Sequence, residues 1–206
     1  MTAILAQKGT MTQLYDEKGT VVPVTALEAD NCYVVLKRTK ARDGYDALQL
    51  GQGKPSKRRL TKPVAGHFRR SGATPTRFLR EVRVPDTESF QPGQRLSVDA
   101  FKPGDRVDVT GWTKGRGFAS GVKRWGWRGG PASHGSMSHR RIGSVGSGTS
   151  PGRVWPGRTL PGHYGVERVT VRNLRVVKVE PERNRLYVEG AVPGGRGGEL
   201  IVVKRK

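Results

Sequence analysis

Neither aspartate nor glutamate occurs between Val109 and Val166, a stretch of 58 residues. This absence excludes catalysis by a pair of carboxylates within the stretch, because general acid–base chemistry needs a proton donor and an acceptor side by side. It also leaves His134 and His139 without carboxylate or cysteine companions for a metal site. Carboxylates elsewhere fall on predicted strands and turns and are interpreted as solvated charges. We therefore predict no catalytic residue, no metal ligand and no cofactor.

Cysteine is scarce, and long apolar runs are missing. The single thiol, Cys32, can form neither an internal disulfide nor a cysteine zinc cluster, and its apolar surroundings predict a buried structural thiol in a reducing compartment. No apolar run reaches the roughly 18 residues that a membrane-spanning helix needs. The first residues lack the pattern of a signal peptide. We expect a cytoplasmic protein without membrane contact.

The glycine-rich string at 143–149 (GSVGSGT) is similar to a phosphate-binding loop only superficially. It lacks the Gly-Lys-Ser/Thr ending of such loops, and no predicted strand precedes it. The sequence therefore predicts neither nucleotide hydrolysis nor a small-molecule substrate.

Positive charge dominates what the sequence does contain. Its 38 basic and 17 acidic side chains give a formal net charge of +21, and the pI of about 11 exceeds the value of roughly 9 that marks nucleic-acid-binding domains. Such a field destabilises a compact chain by self-repulsion unless a counter-charge is bound. A merely solvated or salt-adapted surface is the alternative, but salt-adapted surfaces are usually acidic. A polyanionic partner is favoured.

Outside the acid-free stretch, short runs of β-branched and aromatic residues alternate with turn signals. The predicted strands are an N-terminal segment and the ranges 20–29, 31–38, 45–50, 95–101, 105–110, 167–179, 186–189 and 200–203. Many short strands and little helix indicate a mainly β fold with an antiparallel, six-stranded-type β-barrel body. Residues 51–83 form a basic insert of helix and loop. One short helix is predicted from Thr61 and Pro63 to the Ser71–Gly72 end signal, and another over 76–83.

The acid-free stretch is predicted as a long loop extension. Residues 1–108 and 167–206 then form the barrel body, and residues 109–166 leave it between two neighbouring strands, 107–110 and 168–171. The extension holds nine Lys/Arg, three histidines, all four tryptophans and 15 glycines. Its large apolar residues follow no sustained period, so they cannot offset the ~1–2 kcal/mol per residue that ordering the backbone costs. We expect it to be largely mobile in isolation and to take its shape against phosphates.

Structured RNA is the polyanion that this composition fits best, because tryptophans beside cations can stack on unpaired bases. Each tryptophan has the alternative of anchoring a small local cluster. The histidines suit phosphate or ribose contact, or are simply exposed in loops. The candidate RNA-binding residues of the body are Lys57, Arg58, Arg59, Arg69 and Arg70. Those of the extension are Lys114, Arg116, Lys123, Arg124, Trp125, Trp127, Arg128, His134, His139, Arg140, Arg141, Arg153, Trp155, Arg158 and His163.

Several strings resemble a known family. The strings DVTG (108–111), KGRGFA (114–119), KRW (123–125), SHG (133–135), GS (143–144), TSPGRV (149–154) and GHYG (162–165) look like the signature of the bacterial ribosomal protein L-three family of the large (50S) subunit. The strings GHF (66–68), ERVTV (167–171) and GAVPG (190–194) extend the resemblance over nearly the whole chain.

The resemblance implies a structural constituent of the large subunit rather than an enzyme. It implies a β-barrel at the subunit surface, binding to 23S rRNA early in assembly, neighbouring large-subunit proteins as further partners, and a ribosome-bound location. It also implies that the extension runs toward the peptidyl transferase centre. By motif, its tip would be Gly143, Ser144, Val145, Gly146, Ser147, Gly148, Thr149, Ser150, Pro151 and Gly152.

The sequence departs from the family pattern in three places, one of which is Trp112, where a smaller polar residue is common. Thr10-Met11-Thr12 replaces the usual Gly-Met-Thr, and Ser147-Gly148-Thr149 stands where many bacterial relatives carry glutamine and asparagine, one glutamine being a methylation target. A free RNA chaperone or an architectural nucleic-acid-binding protein is the alternative function, but it does not account for one long insertion. An enzyme that acts on RNA is a more distant alternative.

Overall fold

The computed structural model describes residues 2–54, 60–85 and 87–205. The chain divides into two compact units, the body (Met1–Thr113 with Arg168–Lys206) and the arm (Lys114–Glu167). The described residues form twelve strands: β1 (Ala3–Tyr15), β2 (Val21–Glu28), β3 (Cys32–Arg38), β4 (Ala47–Gln52), β5 (Phe78–Arg83), β6 (Arg95–Leu96), β7 (Arg106–Trp112), β8 (Phe118–Ala119), β9 (Gly162–His163), β10 (Arg168–Glu180), β11 (Arg185–Glu189) and β12 (Glu199–Lys204). They also form three α-helices: α1 (Lys40–Asp43), α2 (Lys62–Ser71) and α3 (Gly121–Trp125). The predicted mainly β class is confirmed.

Six strands of the body pair antiparallel in a closed cycle, which we call the closed sheet. Its order is β1–β12–β7–β10–β11–β2, with β2 returning to β1. Alternate residues of these strands turn their side chains to the same face, so the apolar residues that alternate along the sequence, many of them valines, lie together in the interior. The fully or almost fully buried members include Ile4, Val24, Leu27, Val107, Val109, Leu186, Val188, Leu200 and Val202. Burial of each large apolar side chain stabilises the fold by about 1.5–3 kcal/mol.

A second sheet of the body has the order β5–β4–β3–β6. Residues 78–83, for which the sequence predicts a helix, form strand β5 and pair with β4 at six positions, from Phe78 opposite Gln52 to Arg83 opposite Ala47. The helix prediction for 76–83 was wrong because this pairing buries Val82 between exposed Glu81 and Arg83, which is a two-residue period. The neighbouring helix prediction is confirmed: α2 begins after Thr61 and ends at Gly72 in the left-handed region.

Residues 95–101 form less strand than predicted. Only Arg95 and Leu96 pair, and Val98–Ala100 make a 3₁₀ turn. Ser97 causes the change, because its hydroxyl accepts the Asp99 N–H at 3.4 Å and caps the turn.

The arm leaves and rejoins the body through two paired strands, as the sequence predicts. Val109 pairs with Val171, Thr110 with Thr170 and Trp112 with Arg168, and the Thr110 and Thr170 hydroxyl oxygens lie 2.8 Å apart. Since β7 continues to Trp112, the first residues of the predicted extension are strand residues of the body. Trp112 packs against the core of the body rather than taking part in a loop.

Trp112 also lies beneath Arg80, whose guanidinium carbon is 4.7 Å from the ring centroid. The same guanidinium forms an ion pair with Glu199 at 2.9 Å. Burial raises the pKa of the Glu199 carboxyl against the lowering effect of Arg80. This pair links β5 to β12 at the strand end where the arm begins.

Cys32 lies inside the body, as predicted. Its side chain is fully buried, and desolvation raises the pKa of the thiol to about 12 although a backbone hydrogen bond from Leu5 opposes the rise. The thiol is therefore protonated and unreactive in the folded protein. No helix in the described ranges is both long and apolar enough to cross a membrane.

Candidate nucleic-acid interface

The base of the arm is a two-stranded ladder. Phe118 of β8 pairs with His163 of β9, and Ala119 with Gly162. The ladder is extended by hydrogen bonds from the Arg116 N–H to the Tyr164 carbonyl oxygen at 2.8 Å and from the Tyr164 N–H to the Gly117 carbonyl oxygen at 3.0 Å. The Arg116 guanidinium carbon lies 4.8 Å from the Tyr164 ring centroid.

Helix α3 follows the ladder and carries the predicted residues Lys123, Arg124 and Trp125. The helix ends because Gly126 adopts φ +74°, the left-handed conformation that suits glycine. Arg124 and Trp125 both donate to the carbonyl oxygen of Leu160, at 3.1 and 2.9 Å. The Arg124 guanidinium carbon also lies 5.0 Å from the Trp125 ring centroid. These contacts tie the outgoing helix to the returning chain and leave Trp125 49% exposed.

The other two arm tryptophans differ in their surroundings. Trp127 is half-buried with its ring against Gly121, where a Cβ atom would lie 2.1 Å from the ring. It is therefore anchored in a local cluster, which is the alternative that the sequence left open. Trp155 is 58% exposed, and the Arg153 guanidinium carbon lies 4.7 Å from its ring centroid. An exposed ring beside a cation has a free face for stacking on a base.

The arm has almost no interior. All of its residues are described, and only Ala119 and Gly121 are buried. Eight of its nine basic side chains are exposed, and Arg124 is half-buried. Within the described part of the chain, none of the nine forms an ion pair with a carboxylate. The arm therefore presents uncompensated positive charge along its surface.

Two of the exposed arginines also bind neutral acceptors within the arm. Arg140 donates to the Ser120 hydroxyl oxygen at 3.0 Å, and Arg158 donates to the Ser144 carbonyl oxygen at 3.1 Å. Neutral partners orient a guanidinium without cancelling its charge, so both side chains keep donors available for phosphate oxygens. Lys114, Arg128 and Arg141 are exposed as well.

His134 and His139 are exposed and adopt φ +60° and +28°. The backbone of His139 contacts the outgoing chain, because its carbonyl oxygen accepts the Gly130 N–H at 2.7 Å. No cluster of three or more His, Cys, Asp or Glu side chains that could bind a metal occurs among the described residues. His163 is exposed, and its ring meets Phe118 edge to face at a centroid distance of 6.4 Å.

The predicted tip, 143–152, is exposed apart from half-buried Pro151. Its order is local: the Ser144 hydroxyl donates to the Gly146 carbonyl oxygen at 3.1 Å, and the Gly152 N–H donates to the Gly148 carbonyl oxygen at 3.1 Å. Solvent reaches nearly every residue of this segment, so a partner can reach them as well.

The structure describes two of the five predicted RNA-binding residues of the body. Arg69 and Arg70 are exposed in the last turn of α2, where cations also interact favourably with the helix dipole. Lys57, Arg58 and Arg59 lie outside the described residues.

Two aromatic residues of the arm, Phe118 and Tyr164, were not among the candidate residues predicted from the sequence. Phe118 is 73% exposed, and Tyr164 lies under Arg116. Each of them lies near a cation, either in the sequence or across the ladder. The basic–aromatic pattern that identified the tryptophans would have found both if it had been applied to every aromatic residue.

Sequence comparisons with known proteins point to one family. The family model described as Ribosomal protein L3 matches residues 85–197. A protein of Thermotoga maritima named large ribosomal subunit protein uL3 is 50% identical over 206 residues, which cover 100% of this chain and 98% of that protein. Proteins of the same name from Carboxydothermus hydrogenoformans and Pelotomaculum thermopropionicum are 52% and 53% identical over 97% and 98% of this chain, and over 95% of each relative. The chain therefore belongs to the ribosomal protein L3 family.

Proposed function

We propose that this protein is a structural constituent of the large ribosomal subunit that binds 23S rRNA, supports early subunit assembly and directs its arm toward the peptidyl transferase centre. Its family consists of structural ribosomal components rather than enzymes, and the names of its relatives give the large subunit as their assembly. The protein acts bound to the ribosome in the cytoplasm, beside neighbouring large-subunit proteins.

The observation that carries the proposal is the exposed, uncompensated charge of the arm. A segment of 54 residues with two buried positions cannot hold its shape by a hydrophobic core. Phosphate oxygens supply partners for its guanidinium, ammonium and backbone N–H groups at once, and the release of counterions from RNA drives binding. Exposed Trp155 and partly exposed Trp125 add stacking on unpaired bases.

The body serves as the anchor. We interpret the closed sheet as a six-stranded antiparallel barrel. Its hydrophobic core is shared with the second sheet and keeps the body folded, so the body can dock on RNA before the arm is ordered. Docking uses the basic residues of the 51–83 insert, which include Lys57, Arg58, Arg59, Arg69 and Arg70. The tip, 143–152, then lies nearest the catalytic RNA by its likeness to the family motif.

An arm-deleted variant tests the proposal. Because Trp112 and Arg168 are register partners, residues 113–167 can be replaced by Asn-Gly, the two residues of a tight hairpin turn. The expected result is a folded body that binds 23S rRNA more weakly and yields fewer mature large subunits on sedimentation. A control variant keeps the full arm but replaces its nine basic residues by glutamine. It distinguishes the effect of the positive charge of the arm from the effect of its length. Normal assembly and normal translation with the arm-deleted variant would refute the proposal.

A further inference from the structure

The arm contains a cavity of about 280 Å³ where the start of the tip meets the returning chain. Residues 142–145 form one side, residues 158–160 form the other, and Trp127 completes the lining. We propose that this cavity is a binding site for a single unpaired base of the bound RNA. The inference rests on the proposed RNA-binding function and adds a specific site to it.

The size and the walls of the cavity fit a nucleobase. Pockets for drug-sized ligands enclose about 300–1,000 Å³, so this cavity of about 280 Å³ is suited to a smaller group. Its apolar lining comes from Trp127, Ile142, Val145 and Leu160. Ile142 and Val145 are among the exposed large hydrophobic residues of the arm, and an inserted base would remove their side chains from water. The indole of Trp127 supplies a face for stacking.

Local contacts within the arm support two walls of the cavity. The Trp127 ring is held against Gly121, and its backbone N–H donates to the Gly121 carbonyl oxygen at 3.3 Å. The Leu160 carbonyl oxygen accepts hydrogen bonds from both Arg124 and Trp125. Such local contacts reduce the conformational entropy that the site loses when a ligand binds.

The polar groups at the cavity match the edge and the phosphate of a nucleotide. Arg158 spans it through the hydrogen bond to the Ser144 carbonyl oxygen, and its guanidinium is exposed for a phosphate contact. The Thr159 hydroxyl and the backbone N–H groups of Gly143 and Val145 have no hydrogen-bond partner within the described ranges. A cavity lined by apolar side chains together with free donors and one cation, and without a carboxylate, favours a nucleobase over an apolar peptide side chain.

The test uses the full-length protein and two RNA hairpins. Both contain the same paired stem, and one of them carries a single bulged 2-aminopurine nucleotide. Val145→Trp fills the cavity, and Val154→Trp is the matched control, because Val154 is similarly exposed (44% against 37%) but does not line the cavity. Affinities are measured by anisotropy, and the 2-aminopurine emission reports stacking of the bulged base.

We expect the wild type to bind the bulged hairpin about fivefold more tightly than the paired one, or better, with quenched 2-aminopurine emission. Val145→Trp should lose this preference and the quenching while its affinity for the paired hairpin is unchanged, and Val154→Trp should keep both. A wild type without the preference, or a Val145→Trp variant that retains it, overturns the base site. Failure of the wild type to bind either hairpin overturns the proposed function itself.

Discussion

At the scale of single residues, order in the arm depends on a few close contacts between glycine and larger neighbours. Gly121 leaves room for the Trp127 ring, and Gly165 approaches the backbone of Lys114, where a Cβ atom would clash with the carbonyl oxygen. Such contacts need no hydrophobic core. They explain how a segment with two buried residues can still form a ladder, a short helix and a cavity.

Gly121→Ala should displace the Trp127 ring, because the added methyl group would lie about 2.1 Å from it. The indole N–H resonance of Trp127 in a ¹⁵N NMR spectrum should shift or broaden. Gly148→Ala is the control, since a Cβ atom there meets nothing within 4 Å. Identical indole resonances in Gly121→Ala and the wild type would show that Trp127 is not held by this contact.

Asp105 makes the body sensitive to acid. A hydrogen bond from Lys204 at 2.5 Å, and a second from the Lys102 N–H at 2.8 Å, lower the pKa of the Asp105 carboxyl in the folded state. A lowered folded-state pKa gives stability that is present above the unfolded value of about 3.9 and is lost as pH falls through the folded value. The Asp105–Lys204 ion pair supplies this contribution and connects the residue before β7 to the end of β12.

Asp105→Asn should therefore be less stable than the wild type at pH 7 and should approach it as the pH falls below the lowered pKa. Urea unfolding at several pH values measures the difference in free energy. Asp16→Asn, in the exposed β1–β2 turn, provides the control. A stability difference that stays constant from pH 7 to strongly acidic pH would contradict the charge-dependent account.

At the scale of secondary-structure elements, the sequence predicted the helices and strands that are marked by patterns within their own residues. Helix α2 was found because Thr61, Pro63 and Gly72 mark its ends. Strands β7 and β10 were found because their apolar residues alternate, and their pairing followed from the position of the arm between them. These features need no knowledge of the rest of the fold.

The elements that the sequence did not predict depend on partners distant in the chain or on very short signals. Residues 78–83 become a strand because β4 offers six pairing positions, and this tertiary pairing overrides local propensity. Helices α1 and α3 have four and five residues, too few for an apolar period to show. The cavity of the arm could not be predicted, because Trp127, Val145 and Leu160 meet only through the fold.

The closed sheet and the arm should contribute very differently to stability. Leu27→Ala removes a fully buried side chain of β2 and should lower the free energy of unfolding by about 2–5 kcal/mol. Leu160→Ala removes a half-buried side chain of the arm and should cost less than about 1 kcal/mol. Urea unfolding followed by circular dichroism measures both. Equal losses would mean that the arm shares a cooperative core with the body.

At the scale of the whole molecule, the two signs of charge are unevenly distributed. The arm holds nine of the 38 basic residues but one of the 17 acidic residues, Glu167. The body contains the remaining carboxylates and all seven ion pairs found among the described residues. The hydrophobic core and the uncompensated charge are therefore separated along the chain: the body contains the core, and the arm carries the unpaired charge.

This separation predicts the salt dependence of RNA binding. Each phosphate neutralised on single-stranded nucleic acid contributes about −0.7 to the slope of log affinity against log salt concentration, and about −0.9 on a duplex. Replacing residues 113–167 by Asn-Gly should reduce the steepness of this slope by several units. Filter binding to a 23S rRNA fragment at increasing salt concentration measures it. An unchanged slope would show that the cations of the arm do not contact phosphate.

Hydrogen exchange of the full-length protein, free and bound to a 23S rRNA fragment, tests the central claim most directly. In the free protein, amides of the closed sheet such as those of Leu27 and Val109 should be protected, while most amides of the arm should exchange rapidly. Binding to the RNA fragment should slow exchange throughout the arm. Strong protection of the arm in the free protein, unaltered by RNA, would contradict the claim that RNA rather than a core of its own fixes the shape of the arm.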